Sequence, residues 1–242
     1  MTDTRRRVLI SGATSGIGRA AAERLSKTDL VWVLGSSDES ASTAAQAMGA
    51  AGWTGADVAD RAAVDRAIAQ AVGALGGLDG LFINAGIDGQ GVLAAELDPD
   101  FFRRVLDVNV VGAFNLAQAA LPHLSRPGTL LFNSSVNAVR PEAHFLDYNA
   151  SKAAVVSMVK TMALELAAEG VTVLSIAPGY FPSRMTSPYL DDPEIREELL
   201  GLIPAKRFGE LTEVAEVVDF LLSPAARFMH GAVVTLDGGR SI

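Results

Sequence analysis

The chain has 242 residues, with 20 Lys and Arg against 28 Asp and Glu for a formal net charge of −8, and no cysteine. Half of it is hydrophobic (49%) and a fifth charged (20%), enough apolar material to bury a sizeable core. The negative balance argues against a nucleic-acid partner, and without cysteine there is neither a disulfide nor thiolate chemistry. No long uninterrupted apolar run suggests a membrane span, and no charged-then-apolar leader suggests secretion, so a cytoplasmic protein is expected. No metal site is read.

Short aliphatic runs alternate with Ala-rich stretches of helical period. Strands are predicted at Val8–Ile10, Leu30–Leu34, Trp53–Ala56, Leu81–Asn84, Thr129–Asn133, Val171–Ile176 and Val233–Leu236. Helices are predicted over Ala20–Ser26, Ala62–Leu75, Phe101–Leu124, Ser151–Ala168 and Leu211–Leu222. Such alternation predicts an α/β fold, a doubly wound parallel sheet with helices on both faces, in one domain over residues 1–242. The basic run Arg5-Arg6-Arg7 reads as a solvated strand entry.

Directly after the first strand comes Ser11-Gly12-Ala13-Thr14-Ser15-Gly16-Ile17-Gly18. A turn of this kind lets backbone N–H groups of Gly12, Ser15, Gly16, Ile17 and Gly18 approach a pyrophosphate at a helix N-terminus; a plain Gly-rich turn is the alternative. The second strand ends in Gly35-Ser36-Ser37-Asp38. An acidic residue at the tip itself would favour NAD; instead Ser36 and Ser37 stand ready for a phosphate, and the balance leans to NADP. Asp38 reads as a solvated loop residue or a helix cap. After the third strand, Asp57-Val58 fits an adenine amino group or, for Asp57, an N-cap of the helix through Ala62. Asn84-Ala85-Gly86, after the fourth strand, are small enough for a dinucleotide to lie close, or form a turn. Asn109, an amide inside an apolar helical run, either anchors a relay water near Lys152 or satisfies the core.

The segment Leu131–Met162 holds Ser135, Tyr148 and Lys152. Tyr148 and Lys152 are four residues apart, one helical turn, so both face one way. An ammonium beside a phenol favours the phenolate, and a serine hydroxyl at a strand end can hold a carbonyl oxygen against it. Together they make a general acid/base site for interconverting a carbonyl and an alcohol. Ordinary helix-surface residues are the bland reading. His144 reads as a loop residue and Arg184 as a solvated guanidinium, with Arg140 and Phe145 able to line the pocket. Residues 180–203 mix Phe181, Met185, Tyr189, Leu190, Leu199 and Leu202 with charges and three prolines, which suits a lid over a substrate. The helices Phe101–Leu124 and Ser151–Ala168 are apolar around most of their circumference, which suits burial on a second side in a homodimer or a D₂ homotetramer.

Taken together, Ser11–Gly18, Asn84-Ala85-Gly86, Asn109, Ser135, Tyr148-x3-Lys152 and Pro178-Gly179 resemble the short-chain dehydrogenase/reductase family, in its 3-oxoacyl-carrier-protein reductase-like branch. The resemblance covers essentially the whole chain. The thirteen-residue gap from Ser135 to Tyr148 selects Ser135 over Ser134, and Val234–Gly239 resembles the C-terminal motif of the family. The resemblance implies a Rossmann fold with sheet order 3-2-1-4-5-6-7 and a ketone or secondary alcohol as substrate. It also implies that Tyr148 exchanges the proton, Ser135 orients the carbonyl, Lys152 acts on the phenol and the nicotinamide ribose, and Asn109 holds a relay water. Pro178 and Gly179 would lie along the cofactor, with Ser183 on the carboxamide, a position where the family usually has Thr. Ser11 likewise replaces a usual Thr, and Gly35 leaves the cofactor preference to the serines. Two rivals stand beside this reading: a dinucleotide-binding sensor or scaffold without turnover, and a lyase or epimerase that retains its nicotinamide.

Overall fold

A strand buried on both faces cannot alternate apolar and polar residues, and the central strands of this protein are largely apolar runs such as Val8-Leu9-Ile10 and Val171–Pro178, buried along their whole length. The computed structural model describes residues 5–242. In chain order the strands are β1 (Arg7–Ser11), β2 (Leu30–Gly35), β3 (Gly52–Gly55), β4 (Leu78–Ile83), β5 (Leu124–Asn133), β6 (Val171–Pro178) and β7 (Val233–Leu236). The helices are α1 (Gly16–Leu25), α2 (Asp38–Met48), α3 (Arg61–Leu75), α4 (Pro99–Leu106), α5 (Gly112–Ala120), α6 (Leu146–Leu166), α7 (Ser187–Leu190), α8 (Pro193–Gly201) and α9 (Leu211–Leu221). All strand pairs are parallel, in the order β3-β2-β1-β4-β5-β6-β7. The expected α/β architecture and strand order are both found.

One core lies between the sheet and α3, α5 and α6, around Leu81, Phe132, Leu116 and Val159. The other lies under α1, α2 and α9, around Ile10, Phe82, Leu174 and Val218. Local signals set the helix ends. Asp60 caps α3 by accepting from the N–H groups of Ala62 and Ala63, and Gly76 ends it with φ 77°. The expected capping role of Asp57 therefore falls to Asp60, whose carboxylate is the one in reach of the free N–H groups.

The long apolar helix is not uniform. Between α4 and α5, residues Asp107–Val111 form a π turn, which places one extra residue in the turn that carries Asn109. The whole run Pro99–His123 is long and apolar enough to cross a membrane by length and composition alone, although charged and amide residues interrupt it. Over half of its most apolar window is buried inside the fold, as in a core helix.

The basic run is likewise more than a solvated entry. Arg6 forks onto Asp29 at 2.8 and 2.7 Å and reaches Asp219 at 2.6 Å, while Arg7 pairs with Asp79 at 2.7 Å. These pairs tie the start of β1 to β2, β4 and α9. The arginine holds the Asp79 carboxyl down at about 2.

Residues 180–203 fold into α7 and α8 rather than an irregular loop. Leu190, Ile203 and Phe208 form a small buried cluster of their own beneath them. At the end of the π turn and on α5 and α6, Val111, Phe114 and Leu164 present apolar surface to solvent, Leu164 at 85% exposure.

Candidate active site

β1 and β4 are neighbours although two strands separate them in sequence, so the crevice beyond their carboxyl ends is the switch point of the sheet. A cleft of about 480 Å³ opens there. The glycine turn forms one wall. Gly12 and Gly16 have φ of 64° and 54°, in the left-handed region that a side chain disfavours. Gly18 has a different reason: a Cβ would lie 2.4 Å from both the Gly12 carbonyl oxygen and Asn84 Nδ2. Ser11 Oγ accepts from the N–H groups of Asn84 and Ala85 at 2.9 and 3.1 Å, and Asn84 Nδ2 donates back to the Ser11 carbonyl at 3.0 Å. The turn and the Asn84-Ala85-Gly86 segment are thus one hydrogen-bonded unit, and the Ser at position 11 does this with its hydroxyl.

The cleft fits a dinucleotide. Gly12, Ser15, Gly16, Ile17, Asn84, Ala85 and Gly86 line it on one side, and Pro178, Gly179 and Ser183 on the other. Gly18 lies behind, in the packing of the turn. At the floor, Asn133 donates to Asn84 Oδ1 at 2.8 Å, while its own Oδ1 is buried with no protein partner, an acceptor left for a ligand hydroxyl.

At the other end, Ser36, Asp57 and Val58 line the cleft, but Ser37 does not. The Ser37 hydroxyl caps α2, accepting from Ser40 N–H at 3.3 Å and donating to Ser40 Oγ at 3.0 Å. This corrects its expected role as a phosphate ligand. Asp38 is turned away, accepting from Gly55 N–H at 2.7 Å, so no carboxylate guards the tip of β2. Asp57 accepts from Ala59 N–H at 3.0 Å and faces Arg104 at 3.3 Å, an unforeseen member of the cleft wall.

Ser135, Tyr148 and Lys152 all line the same cleft. Ser135 starts a short turn after β5 and accepts from Asn137 N–H at 3.1 Å. Lys152, 4% exposed, donates to the Asn133 carbonyl at 2.9 Å and lies 5.5 Å from the centre of the Tyr148 ring. Burial lowers its pKa from 10.5 to about 8. The phenol behaves differently from expectation. Burial, reinforced by Asp88, pushes Tyr148 above the ordinary tyrosine range, and the hydrogen bond with Ser135 offsets only part of this. Desolvation is the largest cause, and it favours the neutral phenol.

Asn109, 2% exposed, does not face the cleft. Its Nδ2 donates to the Ile87 carbonyl at 2.9 Å and to Ser151 Oγ at 3.0 Å, and its Oδ1 accepts from Ile87 N–H at 2.8 Å. Both amide hydrogens are committed to protein, so the side chain is a strut between the loop after β4 and α6. Three carboxylates near the phenol were not foreseen. Asp147 is fully buried, Asp88 accepts from the Tyr189 hydroxyl at 2.9 Å, and Glu142 accepts from Arg240 at 2.5 Å and from the Tyr180 hydroxyl. No motif marks them: Asp88 comes from the distant loop after β4, while Glu142 and Asp147 lie within six residues of Tyr148. His144 is exposed, with φ 69°, and takes no part.

A parallel sheet with this turn at its switch point, and a serine, tyrosine and lysine converging beside it, defines a nicotinamide-dependent oxidoreductase that interconverts ketones and alcohols. The comparisons agree. Residues 12–241 match the family model described as enoyl-(acyl carrier protein) reductase. The 3-oxoacyl-(acyl-carrier-protein) reductase of Staphylococcus aureus is 34% identical over 96% of both chains. The 3-ketoacyl-(acyl-carrier-protein) reductase of Brucella melitensis, solved with NADH, is 31% identical with a TM-score of 0.90 over 97% of this chain and 98% of its own. A short-chain dehydrogenase of Burkholderia cenocepacia, solved with NADP, is 31% identical with a TM-score of 0.91 over 98% of each. The chain belongs to the short-chain dehydrogenase/reductase family, in its 3-oxoacyl-carrier-protein reductase-like branch.

Proposed function

We propose that Tyr148 is the acid and base of a cytoplasmic NADP(H)-dependent ketone reductase and alcohol dehydrogenase, with Ser135 and Lys152 as its partners. One observation carries this: the three side chains meet at the cleft wall beside the glycine turn. The nicotinamide, when bound, supplies or accepts the hydride. The Ser135 hydroxyl orients the carbonyl oxygen, and the Tyr148 hydroxyl gives it a proton or takes one from the alcohol. A phenol that burial keeps protonated suits the donor step. The Lys152 ammonium, fixed on the Asn133 carbonyl, favours the phenolate that the donor step leaves behind. Asn109 positions rather than reacts, through Ile87 and Ser151.

The preference for NADP(H) rests on the tip of β2, where Ser36 is free and the nearest carboxylate, Asp38, is bonded elsewhere. Residues 1–242 would work as one catalytic unit, with 180–203 as the lid. The apolar surface of Val111, Phe114 and Leu164 supports a homodimer or homotetramer, checked by sedimentation; a monomer at micromolar concentration would refute it.

Tyr148→Phe is expected to lower ketone reduction by roughly 10²–10⁴-fold, with cofactor binding, followed by NADPH fluorescence, retained. Undiminished turnover would remove Tyr148 from the chemistry. Failure of the unsubstituted protein on a broad ketone panel, with cofactor bound, would favour the sensor reading. Turnover without stoichiometric change in cofactor absorbance would favour a lyase or epimerase.

A further inference from the structure

The loop after β4 is pinned at both ends. Ile87 is held by Asn109 through its N–H and its carbonyl, and Gln90 N–H donates to Asp147 Oδ2 at 2.9 Å. Between them the backbone lies directly on Asp147, since a Cβ at Gly89 would be 2.4 Å from Asp147 Oδ1. Asp88 sits in the middle of this clamp, so its carboxylate is fixed before any ligand arrives. Asp88 Oδ1 accepts from Gly89 N–H and Oδ2 from the Tyr189 hydroxyl, each at 2.9 Å. An ionised carboxylate has about four acceptor positions, so half of this one is unused. Glu142 differs, being engaged by Arg240, Asn137 and Tyr180.

Asp88 lies beside the reacting groups. Its neighbour Ile87 lines the cleft, and the Asp147 carboxylate that holds Gln90 also accepts from the Tyr148 backbone N–H at 2.8 Å. Tyr189, which donates to Asp88, packs edge-on against Phe145 at 5.9 Å. A substrate carbonyl delivered to the Tyr148 hydroxyl brings the rest of the molecule against this wall.

We propose that Asp88 selects the substrate, as a fixed acceptor for a second hydroxyl group carried beside the reacting carbon, so that the enzyme acts on polyols and the corresponding hydroxy ketones. This rests on the oxidoreductase reading above. A hydroxyl can donate to a free acceptor position of Asp88, beside the bond from the Tyr189 phenol. A plain alkyl ketone would cover the carboxylate and leave its free positions unpaired, which is costly. A carboxylate-bearing substrate would add like charge beside Asp88, Glu142 and Asp147. An ammonium-bearing one would share the space with the Lys152 ammonium.

The test compares oxidation of cyclohexane-1,2-diol, cyclohexanol and 2-aminocyclohexanol with NADP⁺ and with NAD⁺, in the unsubstituted protein and in Asp88→Leu, Asp88→Asn and Tyr189→Phe. The expected result is a kcat/KM for the diol above that for cyclohexanol by roughly ten- to a hundredfold, with the ratio falling to about one in Asp88→Leu. Asp88→Asn, which keeps the shape of the side chain, is expected to lower the ratio part of the way and carries the comparison should the leucine variant fail to fold. No diol preference in the unsubstituted protein, a preference that survives both Asp88 substitutions, or a faster amino alcohol would each overturn the proposal. Turnover of hydroxyl-free ketones with refusal of the diol would overturn it alone. Binding of cofactor with turnover of nothing would overturn the oxidoreductase reading and this proposal with it.

Discussion

Replacing Lys152 by Met separates what the site needs from what the fold needs. An ammonium buried at 4% exposure has its pKa lowered from 10.5 to about 8. That gap corresponds to roughly 3 kcal/mol of burial penalty at about 1.4 kcal/mol per pH unit. The folded-state value is the lower one, so below pH 8 the lysine is charged in both states and the fold bears the whole penalty. Between pH 8 and 10.5 the folded protein has shed the proton and the unfolded chain has not, so stability rises with pH across that window. Lys152→Met has no such titration. It also leaves the Asn133 carbonyl without its donor, a cost of roughly 1–3 kcal/mol that does not change with pH. Near pH 7 the two effects oppose each other. Urea unfolding of both proteins without cofactor should therefore show the native protein gaining roughly 3 kcal/mol on the variant between pH 7 and 10.5. Parallel stability curves would refute the reasoning, since a lysine with the same pKa in the folded and unfolded states adds nothing to the pH dependence.

Three further substitutions probe other parts. Gly18→Ala would force a methyl to within 2.4 Å of the Gly12 carbonyl and Asn84, and should cost roughly 1–3 kcal/mol in urea unfolding and weaken NADPH binding; a neutral result would mean the turn can open freely. Arg6→Leu strands the buried Asp29 and should lower the melting temperature by roughly 5–10 °C. An unchanged melting point would restore that arginine to a solvated role. Ser36→Asp puts a carboxylate at the tip of β2 and should weaken NADPH relative to NADH by roughly tenfold in fluorescence titration. Tighter binding of NADH than NADPH by the unsubstituted protein would refute the NADP assignment.

The seven strands were legible because a parallel sheet needs apolar residues on both faces, and such runs stand out between Ala-rich helices. The glycine turn and the Tyr148–Lys152 pair were legible because their geometry is local. The π turn was not: a hydrophobic period cannot register one extra residue, and only the odd amide of Asn109 hinted at it. Asp57 and Asp60 both precede the same Ala-rich run, and composition cannot say which carboxylate reaches the free N–H groups. The partners of Arg6 lie 23 and 213 positions away, beyond any local charge pattern. Asp88, Glu142 and Tyr189 escaped for a related reason, since their shared wall exists only once three loops have packed.

Asn109 and Asp147 also hold the backbone on either side of position 88 without using its side chain. A different residue there would hang from an unmoved main chain, at an unmoved distance from the tyrosine and the lysine. Natural variants could therefore exchange one chemical preference for another by a single codon, while inheriting the reaction centre intact.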